Sequence, residues 1–238
     1  MSDFVTTHWS LVLNAGHGSE ETARKALEQL CQIYRYPIYA YSCQLLKDSH
    51  EDAEDLTQGF FVELLNKNLF AKARPEKGMF RSFLLTSFRL YRAKQRERMG
   101  AQKRGGSATV LSLDAMDADE WPADELPDGR LTPDQAFERN WAVTVLDQAH
   151  TRLAADYAKR GKEQVFARLR ELLQAPDESP GYATIAAELG KTKAAIKMEV
   201  SRMRAQYGNW LRAVVADTVS DPAEVDGELR YLLKVLSG

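Results

Sequence analysis

Apolar residues recur along this chain at the i, i+3, i+4 spacing of an amphipathic helix, and no stretch sustains the strict alternation of a half-buried strand. The pattern therefore reads as all-α. Thr6 or Thr7 can cap a short helix through Leu13, stopped by the residues Ala15, Gly16, His17 and Gly18. A second helix is expected from about Ser19 to Tyr34, and Pro37 is read as the start of a third. A fourth runs from His50 to Asn66. A loop from Asn68 to Gly78 then leads into a long basic helix from Phe80 to about Met99. Helical spacing lapses over residues 100–133, which carry Gly105, Gly106, Pro122, Pro127, Gly129 and Pro133. It resumes near Asp134 and continues to about Leu173, with Pro176 and Pro180 marking a turn. After two closely spaced helices, Ser220, Asp221 and Pro222 precede a last amphipathic helix with Val225, Leu229, Leu232 and Leu236 on one stripe.

This pattern predicts two helical domains joined by an acidic flexible linker: residues 1–100, the linker 101–133, residues 134–216, and a C-terminal extension 217–238. Composition changes little. Of 238 residues 44% are hydrophobic, and mean hydropathy is -0.43. No run approaches the roughly 18 apolar residues of a membrane span, and the N-terminal residues lack the pattern of a signal peptide. A cytoplasmic chain without membrane insertion is expected. Cys31 and Cys43 have no CxxC-type spacing, so they read as reduced, partly buried thiols, with a redox or metal role as the alternative.

Charge changes the picture more. The formal net charge is only -2. Residues 71–104, however, hold eleven Lys or Arg against two acids, Glu76 and Glu97, whereas residues 113–138 hold nine acids against one base, Arg130. A basic block followed by an acidic one suggests separate surfaces for separate partners, or else solvated faces of unrelated elements.

Residues 182–190 (YATIAAELG) present a compact apolar face of Tyr182, Ile185, Ala186 and Leu189, and Gly190 suits the left-handed end of a helix. A second helix from about Thr192 would turn Ala195, Ile196, Val200 and Met203 toward the first, with the small Ala186 and Ala187 permitting a close crossing. That is a helix-turn-helix pattern. It leaves Lys191, Lys193, Lys197, Met198, Ser201, Arg202 and Arg204 for the major groove and its phosphates. Glu199 could accept from a cytosine or pair with a neighbouring base on the helix. Gly190, Lys191 and Thr192 also resemble the end of a phosphate-binding loop. That motif requires glycine where Ile185 stands, and a preceding strand where the pattern is helical.

In the helix from His50, a buried stripe is expected of Ala53, Leu56, Phe60, Phe61, Leu64 and Leu65. Glu51, Asp55, Gln58 and Val62 fall on another face, beside Asp52. This acidic face could dock a protein, stay solvated, or hold a metal, although it lacks the Asp-rich, glycine-containing loop of a calcium site. On the basic helix, Arg81, Arg89, Arg92, Lys94 and Arg96 are interleaved with Phe80, Phe83, Phe88 and Tyr91. Cations on phosphate with aromatics near unstacked bases suit a melted strand; ordinary core packing is the other reading of the aromatics.

Three runs in order carry a family resemblance. Residues 52–65 (DAEDLTQGFFVELL) resemble region 2.2 of the sigma-70 family of RNA polymerase sigma factors. Residues 80–89 (FRSFLLTSFR) with the basic run to Arg104 are similar to regions 2.3 and 2.4, and residues 182–212 to region 4.2. Order and separation resemble the extracytoplasmic-function (ECF) group. The resemblance implies a non-enzymatic promoter-recognition subunit without cofactor or metal. Glu51, Asp52, Asp55, Gln58 and Val62 would dock on the polymerase core, at the β′ clamp, with the β flap as a further core contact. Arg74, Lys77, Arg81, Phe83, Arg89, Arg92, Lys94 and Arg96 would read and open the -10 element, the loop with Pro75 and Glu76 holding an extruded base. Lys191, Lys193, Lys197, Met198, Ser201, Arg202 and Arg204 would read the -35 element. The acidic linker would thread a polymerase channel, and an anti-sigma partner would hold the factor inactive. Leu90, Lys94 and Phe83 stand where the group commonly has Asn, Asp and Trp. The C-terminal extension has no counterpart in that pattern; it could pack on the second domain or dock a regulator.

Overall fold

The computed structural model describes residues 8–17, 19–46, 49–74, 76, 78–102, 131–176, 179–219 and 221–237. The expected caps Thr6 and Thr7, Pro75, Lys77 and nearly all of the acidic linker lie outside them. Among the described residues every regular element is helical: α1 (His8–His17), α2 (Glu20–Leu46), α3 (His50–Asn66), α4 (Phe80–Gln102), α5 (Pro133–Lys159), α6 (Glu163–Leu169), α7 (Gly181–Glu188), α8 (Lys193–Ala216) and α9 (Val225–Ser237). Short 3-10 turns lie at Leu69–Lys72, Arg170–Leu172 and Pro222–Glu224. The chain divides into two compact units: residues 1–141 with 234–238, and residues 142–233. The division falls inside α5, so residues 133–141 belong with the first unit rather than with the helices that follow.

The first unit departs from the sequence pattern at its glycines and proline. Pro37 starts no new helix; it lies buried within the single 27-residue α2. Proline removes one helical hydrogen bond and crowds the preceding turn, at a cost of about 3 kcal/mol. The apolar stripe of Ala26, Leu30, Tyr34 and Ile38, every fourth residue and all buried, runs through the proline and keeps both halves on one core. Gly16 likewise does not stop α1. A Cβ there would lie 2.8 Å from the Ala71 Cα, so the glycine permits close approach to the Leu69–Lys72 turn. Asn68, with φ 44°, donates from Nδ2 to the Gly16 carbonyl at 3.3 Å.

α3 begins and ends where periodicity places it. The Ser49 side chain accepts from the Asp52 backbone N–H, and Glu51 and Asp52 put negative charge on the first turn, where the helix dipole favours it. Ala53, Thr57, Phe60, Phe61 and Leu64 are buried; Leu56 is half-buried, and Leu65, expected in the core, is exposed. Phe60 is the centre of an aromatic cluster, 5.1 Å edge-on to Phe88 and 5.7 Å from Tyr91 of α4. Phe80 is stacked 6.0 Å from Phe70 and stands edge-on to Tyr34 at 5.2 Å. The aromatics of the basic helix are thus largely core.

α5 starts on a reciprocal cap: the Gln135 N–H donates to the Thr132 hydroxyl at 3.2 Å, and the Thr132 N–H to the Gln135 side chain at 2.9 Å. In the second unit, Leu153, Tyr157, Phe166, Leu169, Leu172, Tyr182, Ile185, Ala186, Ile196, Val200 and Met203 form one core. Asp217, at the end of α8, is buried and takes Arg152 Nη2 at 2.7 Å; burial pushes its carboxyl above the usual range, and Arg152 opposes the shift. In α9, Val225 and Leu232 are buried, Leu229 and Leu236 half-buried, and Asp226 pairs with Arg212 of α8 at 2.6 Å.

One glycine gives a test of sign. A Cβ on Gly59 of α3 would stand 2.3 Å from the Tyr91 hydroxyl, whose ring is buried against Phe60. In an unobstructed helix interior Gly→Ala stabilises by roughly 0.5–1 kcal/mol. Gly59→Ala is expected instead to destabilise the first unit by about 1–3 kcal/mol. Tyr91→Phe, which removes the clashing oxygen, should restore much of the loss in thermal unfolding of the double variant.

Candidate nucleic-acid interface

The second unit builds a helix-turn-helix. α7 ends on Gly190 with φ 62°, a left-handed conformation that glycine adopts without a Cβ penalty. The Lys191 N–H closes the turn by donating to the Ala186 carbonyl at 2.9 Å. Thr192 then caps α8, its hydroxyl accepting from the Ala195 N–H at 3.2 Å. Ile196, Val200 and Met203 turn into the core, as their spacing predicts, whereas Ala187 is exposed and takes no part in the crossing.

That orientation fixes which side chains of α8 face outward. Lys193, Met198, Ser201 and Arg202 are exposed and Lys197 is half-buried. Arg202 Nη2 lies 3.3 Å from the Met198 sulfur, so these two form one contiguous patch. Lys191, in the turn before α8, pairs with Glu199 at 2.5 Å, so the base that meets Glu199 comes from the turn and not from the helix itself. Arg204 differs from the expected set. It reaches inward: Nε donates to the Leu173 carbonyl at 2.9 Å, and Nη2 to those of Leu172 and Ala175 and to the Tyr182 hydroxyl. These carbonyls close the 3-10 turn before α7, so Arg204 fastens that turn to α8 instead of facing a groove.

In the first unit, Glu51, Asp52, Asp55 and Gln58 are exposed on α3 and Val62 is half-buried. Asp52 also accepts from the Ser49 hydroxyl at 2.6 Å. Leu65, 41% exposed, continues the line Glu51, Asp55, Gln58 and Val62, giving the face an acidic beginning and an apolar end. Sequence periodicity counted it as core, because Phe61, Leu64 and Leu65 share the i, i+3, i+4 spacing; the buried stripe is instead centred on Ala53, Thr57, Phe60 and Leu64, and Leu65 falls at its edge.

On α4 the cations divide. Arg81 is 7% exposed, with Nε 3.2 Å from the Glu138 carboxylate and its Cζ 4.1 Å over the Trp141 ring. It is an internal group rather than a strand-facing one. Arg89 is half exposed; it donates through Nε to the Tyr41 hydroxyl at 3.3 Å and through Nη2 to the Asp134 carboxylate, and the Tyr41 contact, then Asp134, raises its already high pKa against the opposing effect of partial burial. Asp134, Glu138 and Trp141 stand at i, i+4 and i+7 of α5, a one-face signal present in the sequence. Phe83 is half-buried, 5.9 Å from Phe80. Lys94, Arg96 and Arg98 are exposed and Arg92 half-buried; burial, then the nearby Arg96, lowers the Arg92 pKa. The outward cationic surface of α4 is therefore its C-terminal half. Arg74 is exposed and donates to the Ala71 carbonyl at 2.7 Å and to the Ala73 carbonyl at 3.1 Å.

Among the described residues, no three His, Cys, Asp or Glu side chains are grouped to hold a metal, and no helix is long and apolar enough to cross a membrane. Cys31 and Cys43 are free, and burial pushes the Cys31 thiol up to about 11. No family model, curated protein or solved structure matches the chain.

Arg204 separates stability from recognition. Arg204→Ala should destabilise the second unit by about 2–3 kcal/mol, because three carbonyls lose a charged donor. Arg204→Lys should restore little, a single ammonium being unable to span them. Thermal unfolding of the two variants, with lysine restoring full stability as the contrary result, makes the test.

Proposed function

We propose that this chain is a promoter-recognition subunit of bacterial RNA polymerase, of the sigma-70 type and similar to the ECF group. The observation that carries the reading is the helix-turn-helix of α7 and α8. Its capped second helix turns Lys193, Lys197, Met198, Ser201 and Arg202 away from the core, a composition suited to base edges and phosphates in a major groove. A helix-turn-helix alone means duplex reading. Two features of the first unit extend it to a polymerase subunit: the acidic-to-apolar face of α3 and the cationic C-terminal half of α4.

In this reading, α8 reads the -35 duplex, and Arg92, Lys94, Arg96 and Arg98 hold the backbone of the opened -10 strand. The face from Glu51 to Leu65 docks on the core enzyme, with carboxylates giving orientation and Val62 and Leu65 giving apolar contact. The acidic segment between residues 101 and 133 connects the two functions, and an anti-sigma protein is the expected regulator. The chain performs no catalysis of its own. The tethering of Arg81 and Arg89 favours a second reading, in which the chain regulates transcription from duplex DNA without joining the polymerase.

Core binding tests the first reading against the second. The full chain should form a complex with purified bacterial core polymerase in size-exclusion chromatography. Glu51→Lys with Asp55→Lys should weaken that complex by about tenfold or more while leaving the helical signal intact. A wild-type chain that binds duplex DNA but never core polymerase would establish the second reading. On the duplex, Arg202→Ala should cost about 1–3 kcal/mol if the side chain contacts a base; unchanged affinity and sequence preference would remove Arg202 from the recognition surface.

A further inference from the structure

We propose that the first turn of α5 is a built-in competitor for nucleic acid on α4, with the Asp134 carboxylate occupying the Arg89 guanidinium that a strand phosphate would otherwise take. The inference rests on reading α4 as a strand-holding helix, and it adds a regulatory contact to that surface. All the groups concerned belong to the first unit.

Two contacts between the helices differ in kind. The Arg81, Glu138 and Trp141 contact is an anchor: Arg81 is 7% exposed and Glu138 21%, and the indole ring covers the guanidinium. Removing one partner of such a buried pair leaves the other charge uncompensated, so the contact persists. The Arg89 and Asp134 contact is a latch. Both side chains are about half exposed, at 49% and 57%, where an ion pair is screened and weak. A polyanionic strand can displace such a carboxylate without dismantling the anchor.

The latch is also preset in position. The Thr132 and Gln135 cap fixes where α5 starts, and so where Asp134 stands. Tyr41, edge-on to Phe88 at 5.4 Å, receives the Arg89 Nε and holds the guanidinium at the surface. A carboxylate and a phosphate oxygen demand the same fork of N–H donors, so the two ligands compete for one guanidinium. Arg92 and Arg96, at i+3 and i+7 from Arg89, continue its face toward the end of α4, half-buried and exposed respectively. A strand engaging those residues has Arg89 as its next contact once Asp134 yields.

The test uses the full chain and a fluorescein-labelled single-stranded DNA oligonucleotide of about twelve nucleotides, followed by anisotropy across a salt series. Asp134→Asn should tighten binding by about twofold to fivefold, the range an exposed ion pair is worth. It should also steepen the dependence of log K on log salt by about 0.7, the mark of one more neutralised phosphate on a single strand. Both gains should vanish when Arg89→Met is added. Asp226→Asn, which makes the same charge change opposite Arg212 of the second unit, should leave the salt slope unaltered. If Asp134→Asn tightens binding equally with and without Arg89, or changes neither affinity nor slope, the latch is overturned. Absence of strand binding by every variant would instead remove the strand-holding reading of α4, and the latch with it.

Discussion

A guanidinium keeps its proton even when buried, so a buried arginine must be met by an anion or the fold loses several kcal/mol. Arg81 imposes that condition on the first unit. It sits on the first turn of α4 with its charge inside, and Glu138 and Trp141 of α5 supply the carboxylate and the ring. The start of α5 therefore belongs with α4, although 30 residues separate the two helices in sequence (residues 103–132). The same contact decides how the cations of α4 are used: one is internal, one is latched to Asp134, and those of the C-terminal half face outward. A helix that reads as uniformly basic becomes, by one buried charge, a helix with an internal end and an outward cationic end.

Local rules made much of the fold legible. α3 has its expected limits because a serine cap, acids in the first turn and an apolar stripe agree. The turn at Gly190 and the cap at Thr192 lie where the helix-turn-helix requires them, for the same reason. Legibility fails where tertiary contact overrides local preference. Pro37 reads as a helix start by its local preference, which is overridden by the core contacts of Ala26, Leu30, Tyr34 and Ile38, an i, i+4 stripe that runs through it. Gly16 reads as a stop, since its real use, close approach to Ala71, depends on a segment more than 50 residues away.

The candidate site divides along the same line. Exposed side chains whose direction follows from helix phase, such as Glu51, Asp55, Ser201 and Arg202, stand where sequence places them. Two arginines are the exceptions, because a long flexible side chain need not follow the direction of its Cβ. Arg204 turns back to three carbonyls and Arg81 turns under α5. In each case the partner lies on another element, and the basic character counted along the chain says nothing of whether an acid or a carbonyl already claims the charge. What remains outward is a smaller, more sharply bounded set: the α8 patch, the distal half of α4 and the α3 face with Leu65.

Those three surfaces are joined in function only if one chain brings polymerase to a duplex and then holds an opened strand. The most direct measurement is in vitro transcription with purified core polymerase and genomic fragments from the source organism, with permanganate mapping of unpaired thymines. The chain is expected to confer initiation at discrete start sites, with thymines just upstream becoming reactive only when it is present. Core polymerase that gains neither specific starts nor reactive thymines, in conditions where the chain binds it, would contradict the proposed function.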